Sequence, residues 1–313
     1  VMQAAMVANQ LRDTPVMLIW SREEDMRHDL YRPMAAATFR AALDDKRLLA
    51  FEAKSVGQSA VESLTARLMP AMASDAMKDK TVSEGIFDLP YAFSHREVRH
   101  VRTHEPVPVG FWRSVGHSMN AFFAESFIDE IAHSLNLDPF EFRRRELSHA
   151  PRHRKVLEVA AERGRWGEPT GPNAGRGIAL AQSFGAIVAQ VAEVEVHGSE
   201  VVVKRIVAAI DCGFAINPDT VAAQVEGAII FGLSAALHGE ITISSGRVDQ
   251  ANFPDYRMVT LAQAPDIEVH IVESGIEYLG GVGEPGTPPL APAVTNAIFA
   301  ATGRRVRALP IRV

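Results

Sequence analysis

Gly280-Gly281-Val282-Gly283-Glu284-Pro285-Gly286-Thr287-Pro288-Pro289-Leu290-Ala291-Pro292 is the stretch on which the reading of this chain turns. Four glycines and four prolines surround a single carboxylate. Glycine is too permissive for a regular helix or strand, and proline lacks the N–H that either would need. The segment therefore reads as a stiff loop that presents Glu284 at a set place, with little side-chain bulk beside it. An isolated loop Glu is usually a solvated turn residue. In this loop, with no charged sequence neighbour, Glu284 is a candidate general base.

Working outward, residues 287–302 read as a loop followed by a helix. Residues 267–273 alternate like a strand. A turn at Asn217-Pro218-Asp219 precedes a helix over 220–237 whose Ala and Gly content implies close packing. Residues 187–196 and 201–210 are strand-like. The Gly- and Pro-marked stretch 166–177 is the predicted linker. Before it come helices at 156–163 and 140–147, the latter opened by Asp138-Pro139. An earlier helix carries Phe122, Phe123, Phe127, Ile128, Ile131 and Leu135 at helical spacing, a pattern that predicts core packing. Residues 2–11 read as a helix. The apolar run 16–20, bounded by Pro15 and Ser21, predicts a buried strand. Ser21 with Glu24 three residues on predicts a helix start. Residues 34–55 read as strand and turn, and 59–72 as helix or ordered loop. Strands and helices mix without a strict βαβ repeat, so the predicted class is α+β. Two mixed α+β lobes are expected, 1–165 and 178–313, joined by 166–177.

The chain has 313 residues, 47% hydrophobic and 22% charged, ordinary for a globular protein of two domains. Its net charge of -6 argues against nucleic acid as a partner. No apolar run approaches the roughly 20 residues that span a bilayer. The lone Cys212 excludes an internal disulfide framework and a cysteine-only metal cluster.

Two further constellations stand out. In Gly110-Phe111-Trp112-Arg113-Ser114-Val115-Gly116-His117, Arg113 sits in a loop just before a helix, an arrangement suited to an anion or oxo group. Taken alone, a surface Arg beside a packed Trp is an equal reading. Asp211-Cys212-Gly213 through Asn217-Pro218 reads as a strand-to-turn junction. After it, Gln224 and Glu226 lie on the small-residue helix. His95, His100 and His104 lie in a charged segment and read as solvated loop residues rather than metal ligands. His149 and His153 are separated by Pro151, which breaks their shared helix. Walker, dinucleotide and nucleophile-elbow motifs are absent.

Three of these segments, in order, resemble one family. The string 111–117 resembles the arginine-bearing loop of molybdopterin-binding subunits of the xanthine dehydrogenase and aldehyde oxidase family. Asp211 to Pro218 with Gln224-Val225-Glu226-Gly227 resembles its pterin-proximal segment, and residues 281–285 its catalytic glutamate loop. Trp20-Ser21-Arg22-Glu23-Glu24-Asp25-Met26 with Tyr31-Arg32-Pro33 looks most like the branch that holds the isoquinoline 1-oxidoreductase β-subunits.

The resemblance implies a molybdopterin-binding fold of the xanthine dehydrogenase type and a molybdenum hydroxylase acting on an N-heteroaromatic or aldehyde substrate. Glu284 would deprotonate the metal-bound hydroxide. Arg113, Ser114, Val115 and Gly116, with Gln224 and Gly283, would hold the cofactor, and no residue would ligate the metal directly. Val115 stands where purine hydroxylases carry a stacking aromatic, which speaks against purines. The family's two Gly-rich cofactor loops are not in this chain, so it is expected to be the C-terminal part of the large subunit. A molybdopterin cytosine dinucleotide cofactor is implied, with [2Fe-2S] clusters on a small subunit, and a cytochrome c is a candidate electron acceptor. Periplasm and cytoplasm both stay open. A cofactor-free structural or assembly module of the same fold is the alternative, as is, more remotely, a hydrolase using Glu284.

Overall fold

The computed structural model describes residues 2–44, 47–72, 79–275 and 278–313. Helices α1 (Met2–Gln10) and α2 (Arg22–His28) open the chain. Ser21 caps α2 as predicted, its Oγ accepting from the Glu24 N–H at 3.3 Å. The predicted buried strand at 16–20 does not form. These residues join no sheet among the described residues, and Met17 and Ile19 are 84% and 78% exposed. An apolar run becomes a strand only where a neighbour supplies its ladder.

Strands β1 (Ala35–Asp44) and β2 (Arg47–Gly57) pair antiparallel, and β3 (His95–Arg102) lies parallel to β2. The reading of His95 and His100 as loop residues is thus corrected. The edge strand β3 is held by its ladder, while most of its charged side chains face solvent, so no apolar period announces it. His100 Nδ1 lies 2.8 Å from Ser55 Oγ, and burial pushes its imidazole below the ordinary value. Helix α3 (Ala60–Leu68) is capped by Ser59.

Helices α4 (Val115–Ser134), α5 (Pro139–Glu146) and α6 (Pro151–Arg163) lead into the second sheet. Its strands are β4 (Ala174–Ser183), β5 (Ala186–His197) and β6 (Glu200–Asp211), consecutive and antiparallel. Helix α7 (Pro218–Leu237) and a small hairpin, β7 (Ile243–Ser244) with β8 (Arg247–Val248), follow. Strand β9 (Asp266–Ile271) then adds parallel to β6, and α8 (Leu290–Thr302) closes the fold.

Period-2 alternation divides this sheet between two cores. Ile178, Leu180, Ile187, Ala189 and Val191 pack with Ile128 of α4 and Leu157 of α6. Ala179, Val188, Val194, Ile206 and Ile210 pack with Val225 and Ile229 of α7 and Ala293 and Val294 of α8. Burial on both faces explains the near-continuous apolar strands.

The predicted linker shortens. Residues 174–177 belong to β4, because α8 crosses so closely that a Cβ at Gly175 or Gly177 would collide with its backbone at Ala297. Leu48 and Phe51 of β2 share a core with α4, α6 and β4, so the material of 1–165 and of 178–313 is packed together. The expectation that no segment has membrane-spanning length and composition is also corrected. Helix α7 has both, yet it packs on β9 and α8 with Val225, Ile229 and Leu233 fully covered.

One buried ionic group ties these elements together. Glu125 of α4 accepts from Arg143 Nε of α5 at 2.9 Å, from the Tyr91 hydroxyl at 2.6 Å and from the Leu180 N–H of β4 at 3.0 Å. Glu125 and Arg143 are both fully buried. Burial alone would lower the Arg143 guanidinium, but the charges of Glu125 and Asp129 and the hydrogen bond to Glu125 outweigh it and hold it above its ordinary value. Burial and the Glu125 charge push the Tyr91 hydroxyl well up.

Candidate active site

The fold brings Glu284, Gly283, Arg113, Ser114 and Gln224 together. The glutamate loop reaches its place by threading two chain reversals. Phe184 and Gly185, with φ of 49° and 79°, make the two-residue β4–β5 turn. Gly281 N–H donates to Phe184 O at 2.8 Å and Gly280 N–H to Cys212 O at 2.9 Å. A Cβ at Gly280 would press on the Gly185 backbone at 3.0 Å, so this passage favours glycine. Beyond the carboxylate, the buried Gln190 of β5 donates from Nε2 to Gly286 O at 2.7 Å. Gln190 belongs to no motif in the sequence, although an amide among the aliphatic positions of β5 is a visible signal.

The arginine loop staples this passage from the other side. Arg113 Nε donates to Gly283 O at 2.7 Å, with Nη2 on the same carbonyl, and Nη2 reaches Gln224 O at 3.3 Å. Ser114 N–H donates to Glu284 Oε1 at 3.0 Å, and Ser114 Oγ donates to Glu284 O at 2.7 Å. Among the described residues, Glu284 Oε2 takes no hydrogen bond, so one carboxylate oxygen is anchored and the other free. A charge does neighbour Glu284 through space, contrary to the local sequence. Burial lowers the Arg113 guanidinium, and the Glu284 carboxylate partly offsets that.

Ser114 and the β-branched Val115 both hold positive φ, 72° and 47°, a conformation that costs on the order of 1–3 kcal/mol per residue. The turn aims the Ser114 N–H at Glu284 and leaves Ser114 making no side-chain cap to α4. Gly116 is buried, and a Cβ there would collide with Thr81 O, so this glycine serves packing inside the chain.

Gln224 is exposed on α7, and Glu226 beside it faces solvent. Above Gly283, a Cβ would meet only Gln224 Oε1, at 3.6 Å, and above Gly227 nothing within 4 Å. Gly283 and the Gln224 amide border open space next to Glu284, a cradle that suits a large ligand with hydrogen-bonding groups. Among the described residues there is no cluster of His, Cys, Asp and Glu able to hold a metal ion. His153 instead bonds Gln182 at 2.6 Å, and His104 lies 3.4 Å from Glu62.

Asp211 anchors the strand-to-turn junction. It accepts from Arg152 Nε at 2.9 Å, Gly213 N–H at 2.8 Å and Ser274 Oγ at 3.0 Å. Burial opposes its ionisation, but these partners outweigh burial and hold its carboxyl below the ordinary value. A depressed folded value contributes stability that is complete above the unfolded value of about 3.9 and is lost as pH falls through the folded value. Asp211→Asn is therefore expected to be less stable than the parent near neutral pH, with the difference closing below about pH 4. Urea unfolding across a pH series checks this.

Residues 1–147 and 130–265 match two families, each described as a molybdopterin cofactor-binding domain. The isoquinoline 1-oxidoreductase β-subunit of Brevundimonas diminuta is 34% identical over 310 residues, covering 95% of this chain and 38% of that protein. A nicotinate dehydrogenase subunit of Pseudomonas putida is 34% identical over 268 residues, covering 79% of this chain and 22% of that protein. The crystal structure of quinoline 2-oxidoreductase from Pseudomonas putida 86 aligns with a TM-score of 0.80 at 14% identity, covering 99% of this chain and 64% of that one, a likeness of fold. The chain spans less than half the length of these two curated relatives.

Proposed function

The chain belongs to the xanthine dehydrogenase and aldehyde oxidase family of molybdopterin-binding subunits, in the isoquinoline 1-oxidoreductase β-like branch, and from that premise we propose that it carries the base of a molybdenum hydroxylase. The observation behind the proposal is Glu284, with Oε1 anchored by Ser114 N–H at 3.0 Å, Oε2 free, and open space over Gly283. When bound, the molybdenum cofactor supplies two-electron redox chemistry and activates a water-derived oxygen toward an electron-poor carbon.

The residues of this chain supply the rest. In this role Glu284 Oε2 would accept a proton, because the Ser114 N–H holds Oε1 and leaves Oε2 without a hydrogen bond among the described residues. Arg113 fixes the height of the loop through Gly283 O and gives it a neighbouring positive charge. The Gln224 side chain and the bare backbone at Gly283 would hold the cofactor. Val115, standing where a purine hydroxylase has an aromatic, leaves room for other ring substrates. The proposed substrate is an N-heteroaromatic compound or an aldehyde.

The assembly we propose joins this chain to the remainder of the large subunit and to a small subunit with [2Fe-2S] clusters, the cofactor being the cytosine dinucleotide form and a cytochrome c the outlet for electrons. Elemental analysis of the purified complex tests the reading. About one molybdenum per large subunit is expected for a one-cofactor site, together with turnover of an N-heteroaromatic or aldehyde that incorporates oxygen from labelled water. Fully folded complex with neither would overturn it.

A further inference from the structure

We propose that Arg32 is a positioning residue for the Glu284 loop, acting through a stack in which Arg32, Trp112, Phe231 and Arg113 alternate cation, ring, ring, cation. The Arg32 guanidinium carbon lies 4.0 Å from the Trp112 ring centre. Trp112 and Phe231 rings are 4.7 Å apart and tilted by 32°. The Arg113 guanidinium carbon lies 5.7 Å from the Phe231 ring centre on the way to Gly283 O. Each ring therefore contacts one cation and the other ring, and the negative ring faces favour a neighbouring cation.

Backbone pairing brings Arg32 there. Tyr31 N–H donates to Pro108 O and Gly110 N–H to Tyr31 O, both at 3.0 Å. Gly110 permits the approach, since a Cβ there would meet Leu30 Cβ at 2.8 Å. Arg32 has one further bond, Nη2 to Ser118 Oγ at 3.3 Å in the first turn of α4. Among the described residues no carboxylate pairs with it, and burial lowers it to about 10. Its contacts are the Trp112 ring and the Ser118 hydroxyl, and a planar guanidinium is suited to lie against an aromatic ring. Phe231 stands two turns after Gln224 on α7, so the stack joins the segment before β1, the arginine loop and the helix bearing Gln224. Removing its outer cation frees Trp112, loosens Phe231 and lets Arg113 drift from Gly283.

The test uses holoenzyme bearing Arg32→Gln, Arg32→Lys or Glu284→Gln. Hydrogen exchange at 280–287 is read beside kcat, KM, molybdenum content and melting temperature. In Arg32→Gln we expect faster exchange confined to 280–287 and the loop 110–116. We also expect kcat lowered about tenfold by the displaced base, with KM within about twofold. Arg32→Lys, which keeps a cation over the ring, recovers most of both effects.

Parental exchange at 280–287 in Arg32→Gln overturns the proposal whatever the kinetics or metal loading. So does acceleration spread evenly over the chain with a lowered melting temperature, which would make Arg32 a general stability residue. The kinetic part rests on Glu284 as base and the exchange part does not. Full turnover in Glu284→Gln with localised exchange in Arg32→Gln would remove the base and leave the stack.

Discussion

Glu284→Gln is expected to leave molybdenum content and fold unchanged and to lower kcat about a thousandfold, within the usual range for loss of a general base. The substitution separates geometry from proton chemistry. The loop is held through main-chain atoms that the change does not touch: Gly283 O on Arg113, Glu284 O on Ser114 Oγ, and the Gly280 and Gly281 N–H groups on Cys212 O and Phe184 O. A glutamine amide oxygen still accepts the Ser114 N–H. Only the free second oxygen is lost as a proton acceptor. Steady-state turnover with metal analysis on the same sample checks this, and a variant that keeps its metal and turns over at the parental rate would remove Glu284 from the base role.

Glu125→Ala is expected to destabilise the protein by about 3–5 kcal/mol, the usual cost of removing one partner of a buried ion pair. It strips the fully buried Arg143 of its closest carboxylate and orphans the Tyr91 hydroxyl and the Leu180 N–H together. Whole domains are stable by only about 5–15 kcal/mol, so low soluble yield is part of the expected result. The double change Glu125→Leu with Arg143→Met removes both charges. It is expected to recover much of the loss, because apolar replacements of a buried pair are often close to neutral. Chemical denaturation of both variants decides. A Glu125→Ala protein within about 1 kcal/mol of the parent would show that the group contributes little to stability.

Much of the architecture was legible locally. Ser21 before Glu24 and Asp138 before Pro139 each announced a helix start, and caps act within a few residues of chain, whereas Asn217-Pro218-Asp219, read as a turn before a helix at 220, holds the cap and first turn of α7 itself. The strands β5 and β6 carried their own apolar pattern. Where the reading failed, the missing information was a neighbour. Residues 16–20 have strand composition without a ladder partner. Strand β3 has a ladder partner without strand composition. Residues 174–177 look like a glycine linker because α8, more than a hundred residues later, needs the space that side chains would fill.

The site divides in the same way. Glu284 could be singled out from the chain alone, because a carboxylate among four glycines and four prolines has few structural explanations. The family resemblance points to Arg113, Ser114, Gln224 and Gly283, but the sequence does not say that Ser114 spends both its N–H and its hydroxyl on Glu284. Nor could it say that Gly116 serves Thr81, or that Gln190 and Arg32 belong to the same neighbourhood. Residue type and local order determined which groups were available and which stretches were stiff. Which oxygen of Glu284 is anchored, which is free, and which cations and rings hold the loop at that height were decided only by the tertiary structure. Those relations join positions up to 170 residues apart, and they exist only once the sheet, α4 and α7 have packed.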